Sequence, residues 1–201
     1  MNLFLIAQAI PLNLDFFKQF NDECFEKYIV EALENNHDLK SIQSYTTRPQ
    51  RCNGETGHIF VSDEEFDKLE NLVAYTLFNN YRYAATAEQV DTHDLYVIDP
   101  KGVEYFKEHY KGKKGIKIIY LTSPLTTRYE RMVVRAKHSG ASNLDASEAA
   151  LSRITNDVSE FYDYEHKIAH VDLRVVNDET TTIEYLTERI YEFIKHCEED
   201  D

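Results

Sequence analysis

The chain lacks what a disulfide framework, a thiolate metal site or a basic binding surface would need. Its three cysteines in 201 residues, Cys24, Cys52 and Cys197, are odd in number and far apart. That pattern fits a reducing, cytoplasmic setting rather than a disulfide-stapled scaffold. Positive charge is scarce: 22 Lys and Arg stand against 36 Asp and Glu, a net charge of −14. Such a balance argues against a general nucleic-acid binder or a protein that sits on anionic membranes. No apolar run is long enough for a membrane span, and the opening MNLFLIAQAIPLNL has no basic flank of the signal-peptide kind. There are only six glycines and four prolines. With no Pro/Gly-rich linker, repeat or low-complexity stretch to mark a boundary, one domain spanning residues 1–201 is expected.

What is present is an ordinary globular composition, 42% apolar and 29% charged, with clustered arginines. Arg48 and Arg51 lie three apart behind the hydroxyl-rich run Ser44, Tyr45, Thr46 and Thr47. Arginine is a planar, permanently charged fork, so two of them beside several hydroxyls make an anion clamp, or else a solvated loop. A turn signal (Asn53, Gly54, Gly57) and a strand-like run from His58 to Val61 follow. Leu3 to Ala7, Leu95 to Ile98, Ile116 to Leu121 and Val171 to Val176 read as buried strands. Leu72 to Phe78 and Tyr81 to Ala84 read as a hairpin about Asn79-Asn80. Helices are expected over Asp15 to Leu33, Ser62 to about Leu69 (with a Ser62/Glu65 capping box), Val103 to Tyr110, Thr126 to His138, Asp145 (capping with Glu148) to about His166, and Thr180 to His196. Arg128, Arg131 and Arg135 fall on one helix face, as a solvated basic stripe or a functional one. His166 and His170 have the spacing of a helical metal pair, but no third ligand is evident, so no metal site is assigned.

The segment SYTTRPQRCNGETGHIFVS resembles the monophosphate-binding segment of guanylate kinases, S-x-T-T-R-x-P-R, then G-E, then Y-x-F-V-S. Ser44, Thr46, Thr47, Arg48, Arg51, Gly54, Glu55, Gly57, Phe60, Val61 and Ser62 fit it. Pro49 is displaced, one residue is inserted before Gly54, and His58 replaces the family tyrosine. Further along, Tyr83 matches the family's phosphate-binding tyrosine, and Asp99 the aspartate that faces the base. Arg135 and Arg153 match the two lid arginines, and Asn177-Asp178 the segment near the adenine pocket. The resemblance covers roughly Leu3 to Ile194, the first forty residues in layout only. It implies a three-layer, P-loop-NTPase-like α/β domain with a mostly parallel sheet. It also implies a small β-rich subdomain that binds the nucleoside monophosphate, about residues 40–90, and a helical lid, about residues 126–160. Substrate binding is then expected of Ser44, Arg48, Arg51, His58, Tyr83 and Asp99. In such kinases the lid arginines neutralise phosphate oxygens in the transition state.

The departures lie mostly on the donor side. The family's G-x-x-x-x-G-K-[ST] loop, whose backbone amides and lysine hold the ATP phosphates, is replaced by Gln8-Ala9-Ile10-Pro11-Leu12-Asn13-Leu14. No glycine precedes Gly54 and no lysine precedes Lys18. Val97 replaces the aspartate that supports the metal. ATP and Mg2+ are expected of the family, but their site is lost from the sequence. On the acceptor side, Ala74 stands where the family reads guanine with a glutamate, and Ala84 and Ala85 replace its glycine and hydroxyl residue. Two functional classes follow. One is a nucleoside-monophosphate kinase with an atypical donor site. The other, preferred here, keeps the clamp for a GMP-like nucleotide or another phosphorylated ligand, with turnover poor or absent; a protein-binding pseudokinase module is its variant.

Overall fold

The computed structural model describes residues 2–8, 25–50, 53–78, 80–178 and 180–199. The expected helix N-terminal to residue 25, the stretch replacing the glycine-rich loop beyond Gln8, Arg51, Cys24 and Cys52 lie outside the described residues, as does Asn79 of the hairpin turn.

Two sheets organise the chain. The first is all parallel, in the order β6-β1-β7-β8. It comprises β1 (Asn2–Gln8), β6 (Leu95–Ile98), β7 (Gly115–Thr122) and β8 (Leu173–Val176). Its strands read as apolar runs because both faces are covered. On one face Leu3, Leu5, Tyr96, Ile98, Ile118 and Tyr120 pack against Val103 and Phe106 of α4 (Pro100–His109), and against Phe161 and Tyr164. On the other, Phe4, Ile6, Leu95, Ile119 and Leu121 meet α1 (Phe25–His37) through Ile29, Val30 and Leu33. They also meet α8 (Ile183–Glu199) through Leu186, Ile190 and Ile194. Each fully buried Leu, Ile or Phe is worth about 2 kcal/mol in transfer energy, which makes these three layers the core.

The second sheet has the order β3-β2-β5-β4. It consists of β2 (Ser44–Thr46), β3 (His58–Phe60), β4 (Leu72–Phe78) and β5 (Tyr81–Thr86). The β2–β3 pair is parallel and the others antiparallel. Between β3 and β4 comes the one-turn α2 (Asp63–Phe66), with its Ser62/Glu65 capping box in place but stopping short of the expected Leu69. The six-residue α3 (Ala87–Thr92) follows β5. Beyond β7 run α5 (Leu125–His138), α6 (Asn143–Glu160) and the short α7 (Tyr162–Glu165). Two expectations are corrected here. The α6 N-cap is Ser142, whose hydroxyl accepts from the Asp145 amide, rather than Asp145 itself. Phe161 ends that helix, so His166 caps α7 and His170 lies beyond it, off any shared helix. Asp99 starts α4 three residues earlier than expected, because its carboxylate caps the Gly102 amide at 2.7 Å.

Candidate functional site

Strand register puts the clamp residues on one face of the second sheet. Ser44 pairs with His58, Thr46 with both Phe60 and Tyr83, Tyr83 with Thr76, and Ala85 with Ala74. Directly opposed residues share a face. Ser44 Oγ lies 2.9 Å from His58 Nδ1, and the His58 ring meets Tyr83 edge-on with centroids 5.6 Å apart. The loop after β2 carries Arg48 back over this face. Its amide donates to Thr46 Oγ1 at 3.1 Å, and its guanidinium sits 5.3 Å from the Phe60 ring centre. Gly54 and Gly57, with φ of +82° and +94°, take up left-handed turns that only glycine adopts cheaply. They bring Glu55 around to face Arg48, with Nη2 to Oε1 at 2.7 Å and Nη1 to Oε2 at 3.2 Å. This hydrogen bond to Glu55, with a smaller pull from Tyr83, holds the Arg48 guanidinium above its ordinary range.

β6 packs with this sheet in one core. Tyr96 is buried and hydrogen-bonded to Ser44; burial drives its phenol well above the ordinary tyrosine range. Asp99 follows at the carboxyl end of the strand, where open α/β sheets place ligand groups. Burial pushes its carboxyl up, while the Gly102 amide and the Thr76 hydroxyl pull it the other way. The alanines at the positions expected from the sequence to meet a base are closed off from solvent. Ala74 is 1% exposed, and Ala84 and Ala85 are 0% exposed. Ala74 and Ala85 pack in the core that contains Val90, Tyr96 and Phe106. Val97 is an exposed aliphatic side chain with no oxygen to offer a magnesium ion, so this position does not fit the metal-supporting role.

The α5 arginines do not form a solvated stripe. Arg128 and Arg131 are 3% and 1% exposed, and Arg135 is half-buried. Arg128 Nη2 binds Glu165 Oε1 at 2.9 Å, and Tyr120 and Thr122 donate to the same carboxylate. Its Nε and Nη1 are buried with no hydrogen-bond partner. Arg131 reaches Asn177 Oδ1 at 3.3 Å and the Asp178 carbonyl at 3.2 Å, joining α5 to the end of β8. Arg135 and Arg153 line one cavity of about 360 Å³ between α5 and α6. Arg153 Nε also pairs with the buried Asp157 at 2.8 Å, and its guanidinium lies 5.3 Å from the Phe78 ring centre, so it bridges α6 to the β4 end of the second sheet. The sequence singled out the cations but missed their partners. Glu55 was legible within the G-E motif, whereas Thr76, Tyr96, Asp157 and Glu165 carry no local signal.

Against solved structures, the chain is similar to guanylate kinase from Anaplasma phagocytophilum. The TM-score is 0.57 at 18% identity, over 97% of this chain and 85% of that one. The fold is guanylate kinase-like. With its four-stranded parallel sheet and flanking helices, it is consistent with a P-loop-NTPase-like α/β fold. An uncharacterized protein from Eubacterium ventriosum aligns at a TM-score of 0.46 and 8% identity, over 97% of this chain and 98% of that chain, too weakly to carry an argument. No family model matches this chain, and no curated protein sequence does.

Proposed function

We propose that this guanylate kinase-like protein binds the phosphate of a monophosphate ligand on one face of its second sheet, with little or no phosphoryl transfer. The observation that carries this reading is the convergence of Ser44, Arg48, His58 and Tyr83 on one face, which Asp99 joins through Thr76. The second sheet then acts as the monophosphate-binding subdomain and α5 with α6 as the lid. Guanine selection is weak, because the position that would hold its carboxylate is Ala74, packed in the core. A nucleoside monophosphate binds through its phosphate and sugar; another phosphorylated ligand, including one on a protein partner, meets the same groups. Sequence supports the loss of transfer: the donor loop has neither glycine nor lysine, and Val97 replaces the metal-side carboxylate.

One observation favours the competing reading of an active kinase. Arg135 and Arg153 border one cavity, as residues that neutralise a transferring phosphoryl group would. Incubation with ATP, Mg2+ and each common monophosphate separates the two. The proposal expects no ADP above background, and turnover that disappears in Arg48→Ala would overturn it.

A further inference from the structure

We infer that His58 makes the monophosphate clamp proton-controlled, so that anions bind more tightly as the solution becomes acidic. The inference rests on the clamp reading above and concerns how that site is regulated.

Charge balance is the starting point. The Arg48 cation faces the Glu55 carboxylate through two hydrogen bonds, at 2.7 and 3.2 Å. Within the described clamp, Ser44, Thr46 and Tyr83 supply hydroxyls but no charge at neutral pH. Arg51 lies outside the described residues, and as an arginine it keeps the same charge across the physiological range. Among the described side chains of this face His58 is the imidazole, a group that ordinarily titrates between about pH 5 and pH 8, so its protonation adds positive charge there. Among the described residues, the groups around His58 include Ser44 on β2, Tyr83 on β5 and Phe60 on its own strand, with the Arg48–Glu55 pair beyond Phe60. Tyr96 hydrogen-bonds Ser44 and Asp99 hydrogen-bonds Thr76, so both also adjoin this face.

Hydrogen-bond direction adds a second effect. When Nδ1 is unprotonated, the Ser44 hydroxyl donates to it across the 2.9 Å contact. When Nδ1 carries a proton, it donates to Ser44 Oγ, and the serine hydrogen is released to another acceptor. Where the neutral ring carries its proton on Nε2, protonation gives a phosphate oxygen on this face a cation and turns the Ser44 hydrogen away from the ring, with the Tyr96 oxygen and the phosphate as its acceptors. The tyrosine that the guanylate kinase pattern has at this position offers a hydroxyl of its own but no change of charge in this pH range.

Sulfate is the probe of choice, because it remains a dianion from pH 5.5 to 8 and leaves only the protein to titrate. Calorimetric titration of the intact chain with sulfate, and in parallel with GMP, should show sulfate affinity rising by about tenfold between pH 8 and pH 5.5, the effect of a one-unit shift in the imidazole on binding. His58→Gln and His58→Tyr should flatten this dependence. In the wild-type protein, saturating sulfate should raise the midpoint of the His58 ring-proton NMR titration, a readout that does not depend on the variants folding. Binding that is independent of pH, an unchanged slope in His58→Gln, or a His58 midpoint that sulfate does not move would overturn the inference while leaving the clamp intact. Absence of sulfate and GMP binding at every pH would overturn the clamp reading as well.

Discussion

Arg48 and Glu55 form a two-bond ion pair that closes the loop between β2 and β3, with both side chains largely buried. The pair fixes the guanidinium over Phe60 and Thr46 before any ligand arrives, and it also cancels the charge a ligand would seek. Glu55→Gln should therefore have opposite effects on stability and binding. Loss of the charged partner costs about 2 kcal/mol in urea unfolding, while anion affinity measured by calorimetry rises. A fall in both would mean that Glu55 orients Arg48 rather than restraining its charge.

Arg128 and Glu165 pose a different balance. The arginine is 3% exposed, yet two of its nitrogens lack partners. Removing the carboxylate leaves a buried cation, so Glu165→Gln should destabilise by about 3 kcal/mol. Arg128→Leu removes the poorly satisfied group and leaves Glu165 near solvent, where it keeps its Tyr120 and Thr122 donors; it should cost about 1 kcal/mol or less. The order of the two urea midpoints is the check, and a larger loss in Arg128→Leu would contradict it.

Ala74 tests the closed base wall. Ala74→Glu, the residue expected there from the guanylate kinase pattern, would force a carboxylate into a site 1% exposed, in the core that contains Val73, Val90 and Phe106. The expected result is a loss of at least about 3 kcal/mol, or failure to fold, with no gain in GMP affinity. A stable variant that selects GMP over AMP would show that the wall opens to a base.

Asp99 gives a pH signature. Burial raises its folded carboxyl above the ordinary aspartate value, so between those two values the folded state binds more protons than the unfolded one. Stability from this group is fully present below the unfolded value and is lost as pH rises through the folded one. Asp99→Asn keeps a side-chain oxygen for the Gly102 amide and removes the titration. Urea midpoints of the wild-type protein should thus fall relative to Asp99→Asn as pH climbs from about 4 toward neutrality; parallel profiles would contradict this.

Much of the fold was legible because buried strands announce themselves. The runs LFLIA, LYVI and IKIIYL match β1, β6 and β7 to within a residue or two. Helix ends were less legible, since caps are set by side-chain geometry: Asp99 and Ser142 start helices through hydrogen bonds that spacing alone does not reveal. The α5 arginines misled for a related reason. Three cations on one face look solvated until Glu165, some 37 residues on in sequence from Arg128, arrives to pair with the first. At the clamp, the motif identified Ser44, Arg48, His58 and Tyr83. Their charge state depended on the fold of the Gly54–Gly57 turn, and the sealing of Ala74 on packing from α3, α4 and β6.

The most direct test is to compare GMP, ribose 5-phosphate and guanosine as ligands of the intact protein by calorimetry. A clamp that reads phosphate with its base wall closed should bind GMP and ribose 5-phosphate with affinities within about tenfold of each other, since one lost contact is worth about 1.4 kcal/mol. It should bind guanosine undetectably and lose both phosphorylated ligands in Arg48→Ala. Strong preference for GMP over ribose 5-phosphate, guanosine binding in its own right, or no binding by either phosphorylated ligand would contradict the account.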